Sequence, residues 1–157
     1  MSQISDDYLI GFIEGEGCFY VSFVPSKETK SRWQLIYFFK VSQNPRGIEV
    51  LEALKNRLEC GYIKHNASAT SSDKSLAYVV RNIRDIKEKV IPFFNEKLII
   101  KREDFKKFCQ VIQLVLEKKH LTREGVEEII SITNTMNTGK RKYHAHRILR
   151  DYTSEKH

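Results

Sequence analysis

Residues 9–17 read Leu-Ile-Gly-Phe-Ile-Glu-Gly-Glu-Gly, an apolar helical segment with glycines four positions apart at 11 and 15, followed by a final glycine and with glutamates at 14 and 16. Ser5 and the two aspartates after it suit the N-terminus and first turn of such a helix. Gly11 and Gly15 share one face of it, although each glycine costs about 0.5–1 kcal/mol relative to alanine in a helix interior. Because two missing side chains let a second backbone approach closely, the pattern predicts tight packing between two such helices.

Glu14 and Glu16 lie at the end of this predicted helix, where the helix dipole disfavours negative charge. Two carboxylates close together also repel each other. A bound divalent cation would remove both penalties, and Mg²⁺ is commonly held by one or two carboxylates together with phosphate oxygens and waters. Solvated glutamates at a helix end are the alternative interpretation, and the stretch alone leaves both open.

The composition indicates a folded chain with an anionic partner. At 157 residues with 41% hydrophobic content, the chain is long enough for one domain with its own core. We therefore expect a single domain over residues 1–157, with a core over about 5–119 and a helical C-terminal segment over about 120–157. The net charge of +7 favours a nucleic acid as partner, ahead of an acidic membrane surface.

The cysteine pattern indicates a reducing compartment. Cys18, Cys60 and Cys109 are odd in number and widely spaced, which argues against a zinc site and against a disulfide framework. The N-terminus lacks the basic and apolar regions of a secretory signal, and no apolar run reaches membrane-spanning length. We expect an intracellular protein, located in an organelle such as a chloroplast or mitochondrion if the gene is organelle-borne.

Alternating hydropathy predicts two long strands. In residues 18–25 the side chains of Phe19, Val21 and Phe23 take one face, and in residues 32–42 apolar side chains recur at every second position. The opposite face of the second strand is half polar. One side of this sheet can therefore cover a core while the other side remains available to a ligand.

The remaining elements follow from turn residues and helical periodicity. In chain order they are a helix begun by Asn44-Pro45 and closed by Gly61, strands at 62–66 and 75–82, and helices at 83–94, at 102–118 and from Thr122 onward. This order predicts an α+β fold with an αββαββα core, a four-stranded antiparallel sheet and additional C-terminal helices.

Several stretches of the sequence point to one family. Residues 9–17 resemble the motif of the LAGLIDADG homing endonucleases and related intron maturases. Residues 39–43 resemble the end of that family's second strand, residues 95–105 the segment with its active-site lysine, and residues 136–141 its C-terminal backbone-contacting loop. The predicted element order and the chain length are also similar to those of single-motif members.

The resemblance implies a saddle-shaped sheet and a homodimer whose two motif helices pack together. The implied dimer interface contains Tyr8, Gly11, Phe12 and Gly15. Glu16 would ligate the catalytic Mg²⁺ with help from the carbonyl of Gly15, and Glu14 would be the more structural acid. Most members carry aspartate at both positions, so the glutamates lengthen the reach to the metal.

The resemblance also implies a catalytic set of Glu16, Gln43 and Lys97. Gln43 would position water near the metal, and Lys97 would stabilise the phosphoryl transition state or polarise water. The alternative interpretations are a polar strand end and a solvated lysine. Other members carry an arginine soon after this glutamine, whereas Gly47 occupies that place here and Arg46 is one residue away.

The half-polar face of the sheet is the predicted DNA-reading surface. A two-stranded ribbon fits the major groove, and Arg, Lys, Asn and Gln read base edges. Strand alternation assigns to this face Tyr20, Ser22, Arg32, Gln34, Ile36, Phe38, Lys40, Lys64, Asn66 and Arg81. A basic loop resembling a phosphate clamp contains Lys140, Arg141 and Lys142. The alternatives are an ordinary polar face and a basic tail.

Together these features predict a site-specific DNA endonuclease of the homing type. The resemblance implies a Mg²⁺-dependent phosphodiesterase that works as a homodimer and makes a double-strand break in a long, roughly palindromic target. An intron RNA maturase and a non-cleaving DNA-binding regulator on the same scaffold are the alternatives within the family. An unrelated small basic RNA-binding protein is the alternative outside it.

Overall fold

The computed structural model describes residues 3–137 and 145–153, and in them the chain forms an α+β fold around one sheet. The strands are β1 (Gly17–Pro25), β2 (Trp33–Gln43), β3 (Tyr62–His65) and β4 (Leu76–Val80). They form a four-stranded sheet in the order β1-β2-β4-β3, with β4 antiparallel to both β2 and β3. The fold class predicted from the sequence is confirmed.

The helices of the described residues lie close to the predicted positions. They are α1 (Asp6–Glu16), α2 (Ile48–Leu58), α3 (residues 83–94), α4 (Arg102–Leu116), α5 (Arg123–Thr133) and α6 (Ala145–Thr153). Helix α3 contains a π-helical turn, Ile86–Val90, between two α-helical turns. Thr122 caps α5 as predicted, since its Oγ1 accepts a hydrogen bond from the amide of Gly125.

The end of α2 differs from the prediction that Gly61 closes this helix. Glu59 ends the helix in a left-handed conformation with φ of 56°, and its amide donates to the carbonyl of Lys55. Gly61 has φ of 80° where the chain enters β3, and a Cβ there would lie 2.6 Å from the carbonyl oxygen of Val79. The glycine is therefore required by the close approach to β4.

The chain divides into two compact units. The first contains the residues up to Tyr20 together with Phe38–Arg102, and the second contains Val21–Tyr37 together with the residues from Glu103 onward. The expectation of one domain over the whole chain stays a prediction.

An aromatic cluster forms the core of the first unit. The rings of Phe19, Phe39 and Phe94 come from β1, β2 and α3, and their centroids lie 5.3–5.7 Å apart. All three side chains are at most 1% exposed. Edge-on and tilted ring pairs of this kind contribute about 0.5–1.5 kcal/mol each beyond their buried area. The cluster therefore anchors the start of β1, which follows directly from α1.

The second unit has its own core and its own polar ties. Phe108 and Ile129, on α4 and α5, are fully buried. The indole nitrogen of Trp33 donates to the carboxylate of Asp151 on α6 at 2.7 Å, and this bond is the main reason that the pKa of Asp151 is lowered. The amide of Asn137 donates to Asp104 at 3.1 Å, which ties the chain after α5 to the start of α4.

The N-terminus of α1 is fixed by a cap and by an ion pair. Ser5 Oγ accepts from the amide of Tyr8 at 3.1 Å, so the predicted cap is confirmed. Arg57 on α2 makes two hydrogen bonds to the carboxylate of Asp6, at 2.8 and 3.0 Å. This bidentate contact holds α1 against α2 at the end of α1 opposite the two glutamates.

Replacing Arg57 with glutamine is expected to lower the free energy of unfolding by less than about 1 kcal/mol, because both partners are exposed. The hydrogen bond from Arg57 holds the pKa of Asp6 below its ordinary value. A depressed carboxyl pKa means that the stabilisation is present above the ordinary pKa and is lost as the pH falls through the folded-state pKa. In the variant, the pKa of Asp6 measured by NMR should therefore lie closer to its ordinary value. An unchanged titration of Asp6 would contradict this account of the pair.

Candidate active site

Helix α1 has one buried face and one free apolar face. Leu9, Ile10 and Ile13 are buried in the first unit. On the other side Gly11 and Gly15 are exposed, and a Cβ built on either glycine would meet no atom within 4 Å. The free face therefore has room for another backbone.

Two aromatic residues flank these glycines. Tyr8 is 57% exposed and Phe12 is half-buried, and helical spacing places both on the glycine side of α1. The free face thus consists of the four residues predicted for the dimer interface: Tyr8, Gly11, Phe12 and Gly15. It carries no charged side chain. An exposed apolar surface of this kind is typical of an interaction site.

Glu14 has a structural role in the described chain. Its two carboxylate oxygens accept hydrogen bonds from the backbone amides of Ile99 and Lys101, the latter at 3.1 Å. These bonds attach the segment before α4 to the C-terminal part of α1. The sequence analysis singled out Glu14 as the more structural acid, and its contacts agree with that role.

Glu16 is the last residue of α1 and is exposed. In residues 3–137 and 145–153 its carboxylate has no hydrogen bond or ion pair with a protein group. Gly17 follows at once as the first residue of β1, and a Cβ there would lie 2.6 Å from Cγ2 of Ile13. The glycine permits this abrupt helix-to-strand junction, and the junction leaves the Glu16 carboxylate free to bind a ligand.

Gln43 lies at the same end of the sheet as Glu16. The stacked rings of Tyr20 and Phe38, with centroids 4.6 Å apart, pair β1 with β2. In an antiparallel pair the start of β1 then lies beside the end of β2, where Gln43 is the last residue. Gln43 Oε1 accepts from the amide of Asn44 at 2.9 Å, which holds the side chain at the strand end and leaves its NH₂ group for another partner.

Gly47 has a steric reason to be glycine. A Cβ at this position would overlap Cγ of Gln43, although the backbone of Gly47 has an ordinary negative φ. An arginine at this place would displace Gln43. The glycine at position 47, where the family resemblance implies an arginine, therefore leaves space for the Gln43 side chain.

Lys97 has contacts near the start of α1, and its place in the catalytic set stays a prediction. Lys97 Nζ lies 5.5 Å from the ring centroid of Phe93, which also carries the guanidinium of Arg57 at 5.0 Å. Arg57 pairs with Asp6, and the charge of Lys97 adds to the lowering of the pKa of Asp6 that Arg57 causes. Lys97 thus lies near the start of α1, and a helix of 11 residues spans about 15 Å.

Lys101 is the lysine that lies near the glutamate end of α1. Its amide is bonded to Glu14, two residues before Glu16, and its side chain is half-buried. The chain turns in this segment, and the amides of Ile99 and Lys101 both donate to the one carboxylate of Glu14. The segment is therefore held at the C-terminal part of α1. Lys101 lies in the segment 95–105, which resembles the lysine-bearing segment of the family. Without the Glu14 contacts, nothing in the sequence favours Lys101 over Lys97.

The same segment exposes two isoleucines that the sequence analysis did not single out. Ile99 and Ile100 are 75% and 79% exposed. The Glu14 contact to the amide of Ile99 attaches these exposed apolar residues to the C-terminal part of α1.

Replacing Glu14 with alanine is expected to lower the free energy of unfolding by about 1.5–3 kcal/mol, since hydrogen bonds to a charged acceptor contribute this much. Glutamine at the same position keeps one acceptor oxygen and should lose roughly half of that. Urea unfolding of the parent, the glutamine variant and the alanine variant measures whether their stabilities fall in this order. Equal stability of the alanine variant and the parent would show that Glu14 does not anchor residues 99–101.

A row of four side chains crosses the sheet face of the first unit. Phe38 stacks on Tyr20 with an interplanar angle of 8°, and the guanidinium carbon of Arg81 lies 4.9 Å from the centroid of Phe38. Arg81 Nε donates to the hydroxyl of Tyr62 at 3.1 Å. Three of these residues were assigned to this face from the sequence. Tyr62 was missed, although its spacing of two from Lys64 indicates the same face.

Strand register places two predicted lysines on the face that carries this row. Lys40 pairs with Val79, which pairs in turn with Tyr62. Lys64 pairs with Ala77, the partner of Ser42 on β2. Because facing residues of neighbouring strands point to the same side, Lys40 and Lys64 lie on the face of Tyr62.

Asn66 is occupied by the structure itself. Its side-chain NH₂ donates to the hydroxyls of Ser42 at 3.2 Å and Ser75 at 2.9 Å, so it closes the loop between β3 and β4. Its Oδ1 is buried and has no hydrogen-bond partner in the described chain. The structure therefore gives Asn66 a loop-closing role, in place of the free base-reading side chain expected from strand alternation.

The predicted DNA-reading residues of the second unit differ in accessibility. Gln34 is exposed and Ile36 is half-buried on β2. Ser22 is 9% exposed and its hydroxyl donates to the carbonyl of Phe23, so the structure buries this predicted contact. Arg32 is exposed in the turn before β2, with φ of 66°. The predicted phosphate contacts Lys140, Arg141 and Lys142 lie outside the described residues.

Three further features of the described residues concern metal sites, membrane-spanning helices and thiols. Residues 3–137 and 145–153 contain no group of three or more His, Cys, Asp or Glu side chains arranged around a metal ion. No helix in those residues is long and apolar enough to cross a bilayer. In the described residues the cysteines form no disulfide bond, and burial raises the pKa of Cys60 and raises that of Cys109 to about 11.

Comparisons with known proteins agree with this fold and motif. The family model described as LAGLIDADG endonuclease matches residues 9–112. The homing endonuclease I-TnaI has a crystal structure that is similar with a TM-score of 0.77 and 32% identity, over 98% of this chain and 99% of that chain. The meganuclease I-SmaMI bound to uncleavable DNA gives a TM-score of 0.79 and 34% identity, over 87% of this chain and 46% of that one.

Curated relatives are considerably longer than this chain. A probable intron-encoded endonuclease 2 of Neurospora crassa is 30% identical over 132 residues, which are 83% of this chain and 27% of the relative. The chain thus spans about a quarter of the length of such relatives. The motif, the fold and these matches define a homing-endonuclease scaffold. The chain belongs to the LAGLIDADG endonuclease family.

Proposed function

We propose that this protein is a site-specific DNA endonuclease that acts as a homodimer and cuts both strands of its target. The observation that carries the proposal is the free Glu16 carboxylate at the end of a helix whose exposed face carries two glycines. One copy offers one such carboxylate. Cleavage of two strands needs two, and a twofold dimer supplies them.

The dimer is proposed to form through the free face of α1. Tyr8, Gly11, Phe12 and Gly15 supply an apolar surface without charge, and the exposed Ile99 and Ile100 are attached to the same helix. The match to the homing endonuclease I-TnaI covers nearly the full length of both chains, which supports the proposal that the two share this scaffold. A twofold dimer would bind a long target whose halves are roughly symmetric.

The donor atoms at the end of α1 fit a hard divalent cation. We propose that the Glu16 carboxylate and the carbonyl of Gly15 hold Mg²⁺, with DNA phosphate oxygens and waters completing the set. The bound ion would lower the pKa of water and neutralise charge on the cleaved phosphate. A structure of I-SmaMI with uncleaved DNA was obtained in the presence of calcium ions, which supports divalent-cation binding in this family.

The protein groups around Glu16 have separate proposed roles. Gln43 presents its NH₂ group at the strand end and orients the attacking water. Lys101 supplies the positive charge that stabilises the phosphoryl transition state. Lys40, Lys64 and Arg81 on the sheet face contact the DNA grooves, as do Gln34 and Arg32 from the second unit.

The choice between the two lysines has a direct test. Replacing Lys101 with methionine is expected to slow cleavage about 10²–10³-fold, the usual cost of removing one group that stabilises transition-state charge. Replacing Lys97 with methionine removes the same charge near Asp6 and should leave the cleavage rate within about threefold of the parent. Single-turnover cleavage of a fixed target measures both. A greater loss at Lys97 would reverse the assignment.

Cleavage of a randomised plasmid library tests the proposed function. Double-strand breaks at a recurring sequence should form with Mg²⁺ and should not form with EDTA. Binding should weaken steeply with salt, because each neutralised phosphate contributes about 0.9 to the slope of the logarithmic plot. Binding without cleavage would indicate a regulator, and preferential binding of structured RNA would indicate a maturase. The description of relatives as intron-encoded supports an intron location for the gene.

A further inference from the structure

Arg81 is held on two sides before any ligand binds. Its guanidinium lies over the ring of Phe38, which is itself stacked on Tyr20, and its Nε is bonded to the hydroxyl of Tyr62. The four side chains come from all four strands or their ends, so the row, which we call the aromatic ladder, is part of the sheet framework. An exposed arginine is normally mobile, whereas this one is fixed by direct contacts with two aromatic residues, Phe38 and Tyr62.

The contacts leave one defined part of the guanidinium free. Nε is used by Tyr62, and one face of the group is covered by Phe38. In the described residues the two terminal nitrogens have no hydrogen bond or ion pair with a protein group. These two nitrogens form the planar pair of donors that matches the O6 and N7 acceptors of guanine in the major groove.

We propose that Arg81 reads a guanine by a bidentate contact in each half of the target, and that the aromatic ladder holds it in position to do so. The inference rests on the proposed function, since it assumes that this sheet face binds duplex DNA. Arginine can also contact phosphate in a bidentate manner, but a mobile lysine serves for phosphate as a point charge, whereas guanine recognition depends on a planar fork in a fixed orientation.

The position of the residue in the sheet supports base reading. Arg81 directly follows β4, which is an interior strand in the order β1-β2-β4-β3, so it has strands on both sides and is not on an outermost strand. Side chains that reach base edges in the groove read the sequence, whereas phosphate contacts fix the register of the protein on the duplex. Prior fixation also reduces the conformational freedom lost on binding.

The test is selection of bound sequences from randomised duplex DNA, with binding as the readout. The parent protein should enrich one guanine per half-site. Arg81→Lys keeps the charge and removes the fork, so the preference at that position should fall about 5- to 150-fold while preferences at other positions persist. Tyr62→Phe removes only the hydroxyl and should relax the same position to a smaller extent, and Phe38→Leu should do likewise. The control is Lys55→Gln, which removes one positive charge from an exposed position on α2.

The outcomes separate this inference from the proposed function. A uniform loss of affinity in Arg81→Lys, with every base preference unchanged, would show a phosphate contact and overturn the inference alone. Loss of the preference in a protein that binds but does not cut would support the inference and overturn the catalytic proposal. Failure of the parent to bind duplex DNA would overturn both.

Discussion

Replacing Glu16 with glutamine is expected to slow DNA cleavage by at least about 10³-fold while leaving DNA binding near the parent level. The amide keeps the size of the side chain and removes the charge that holds the metal. Metal-ion catalysis is worth several kcal/mol, and each 1.36 kcal/mol changes the rate tenfold. Single-turnover cleavage with Mg²⁺ and binding with Ca²⁺ measure the two properties on the same target.

Two comparisons make the Glu16 result specific. Glu52→Gln removes one negative charge from the exposed surface of α2 and should cut as the parent does. The stability of Glu16→Gln should also match that of the parent, because the carboxylate has no protein partner in the described chain. Cleavage by Glu16→Gln at the parental rate would remove the central residue from the proposed mechanism.

Replacing both Gly11 and Gly15 with alanine is expected to stabilise the isolated chain and to weaken its dimer. A Cβ at either position meets no atom of the same chain within 4 Å, so alanine adds no clash. Each substitution should raise the free energy of unfolding of the monomer by about 0.5–1 kcal/mol, because alanine is the better helix former. The added methyl groups hold the two helices apart, and overpacking costs about 1–3 kcal/mol per site.

The predicted outcome is a rise of at least about 100-fold in the dimer dissociation constant, with loss of double-strand cleavage. Analytical ultracentrifugation over a range of concentrations measures the dissociation constant, and a cleavage assay on duplex DNA measures the loss of double-strand cutting. Urea unfolding at a concentration where the parent is monomeric measures the expected gain in stability of the isolated chain. Glu52→Ala introduces alanine at an exposed position on α2 and should leave association unchanged. A double-alanine protein that dimerises as the parent does would place the interface elsewhere.

The segment 95–105 shows where sequence reasoning reached its limit within the site. It resembles the lysine-bearing segment of the family, but it contains more than one lysine. Which one approaches Glu16 depends on how the segment follows α1. That path is set by two hydrogen bonds between Glu14 and backbone amides more than 80 residues away, and no local pattern records them.

The same limit explains the residues of the sheet face. Alternation identified Phe38, Lys40 and Arg81 as members of one face, because side chains on a strand point alternately to its two sides. It did not show that Asn66 closes a loop, that Ser22 is buried, or that Arg81 is held by Tyr62. Those facts depend on which strands become neighbours and in which register.

The amino-acid sequence by itself determined the elements, their order, their buried faces and the motif at residues 9–17. These follow from caps, turn residues and periodicities that act over a few residues. Only the tertiary structure decided that the amide of Lys101 bonds Glu14, that a side chain at position 47 would overlap Gln43, and that Arg81 is fixed on the sheet. The reason is that each of these depends on the approach of residues far apart in the chain, and their distance is set by packing of the whole unit and not by local preference.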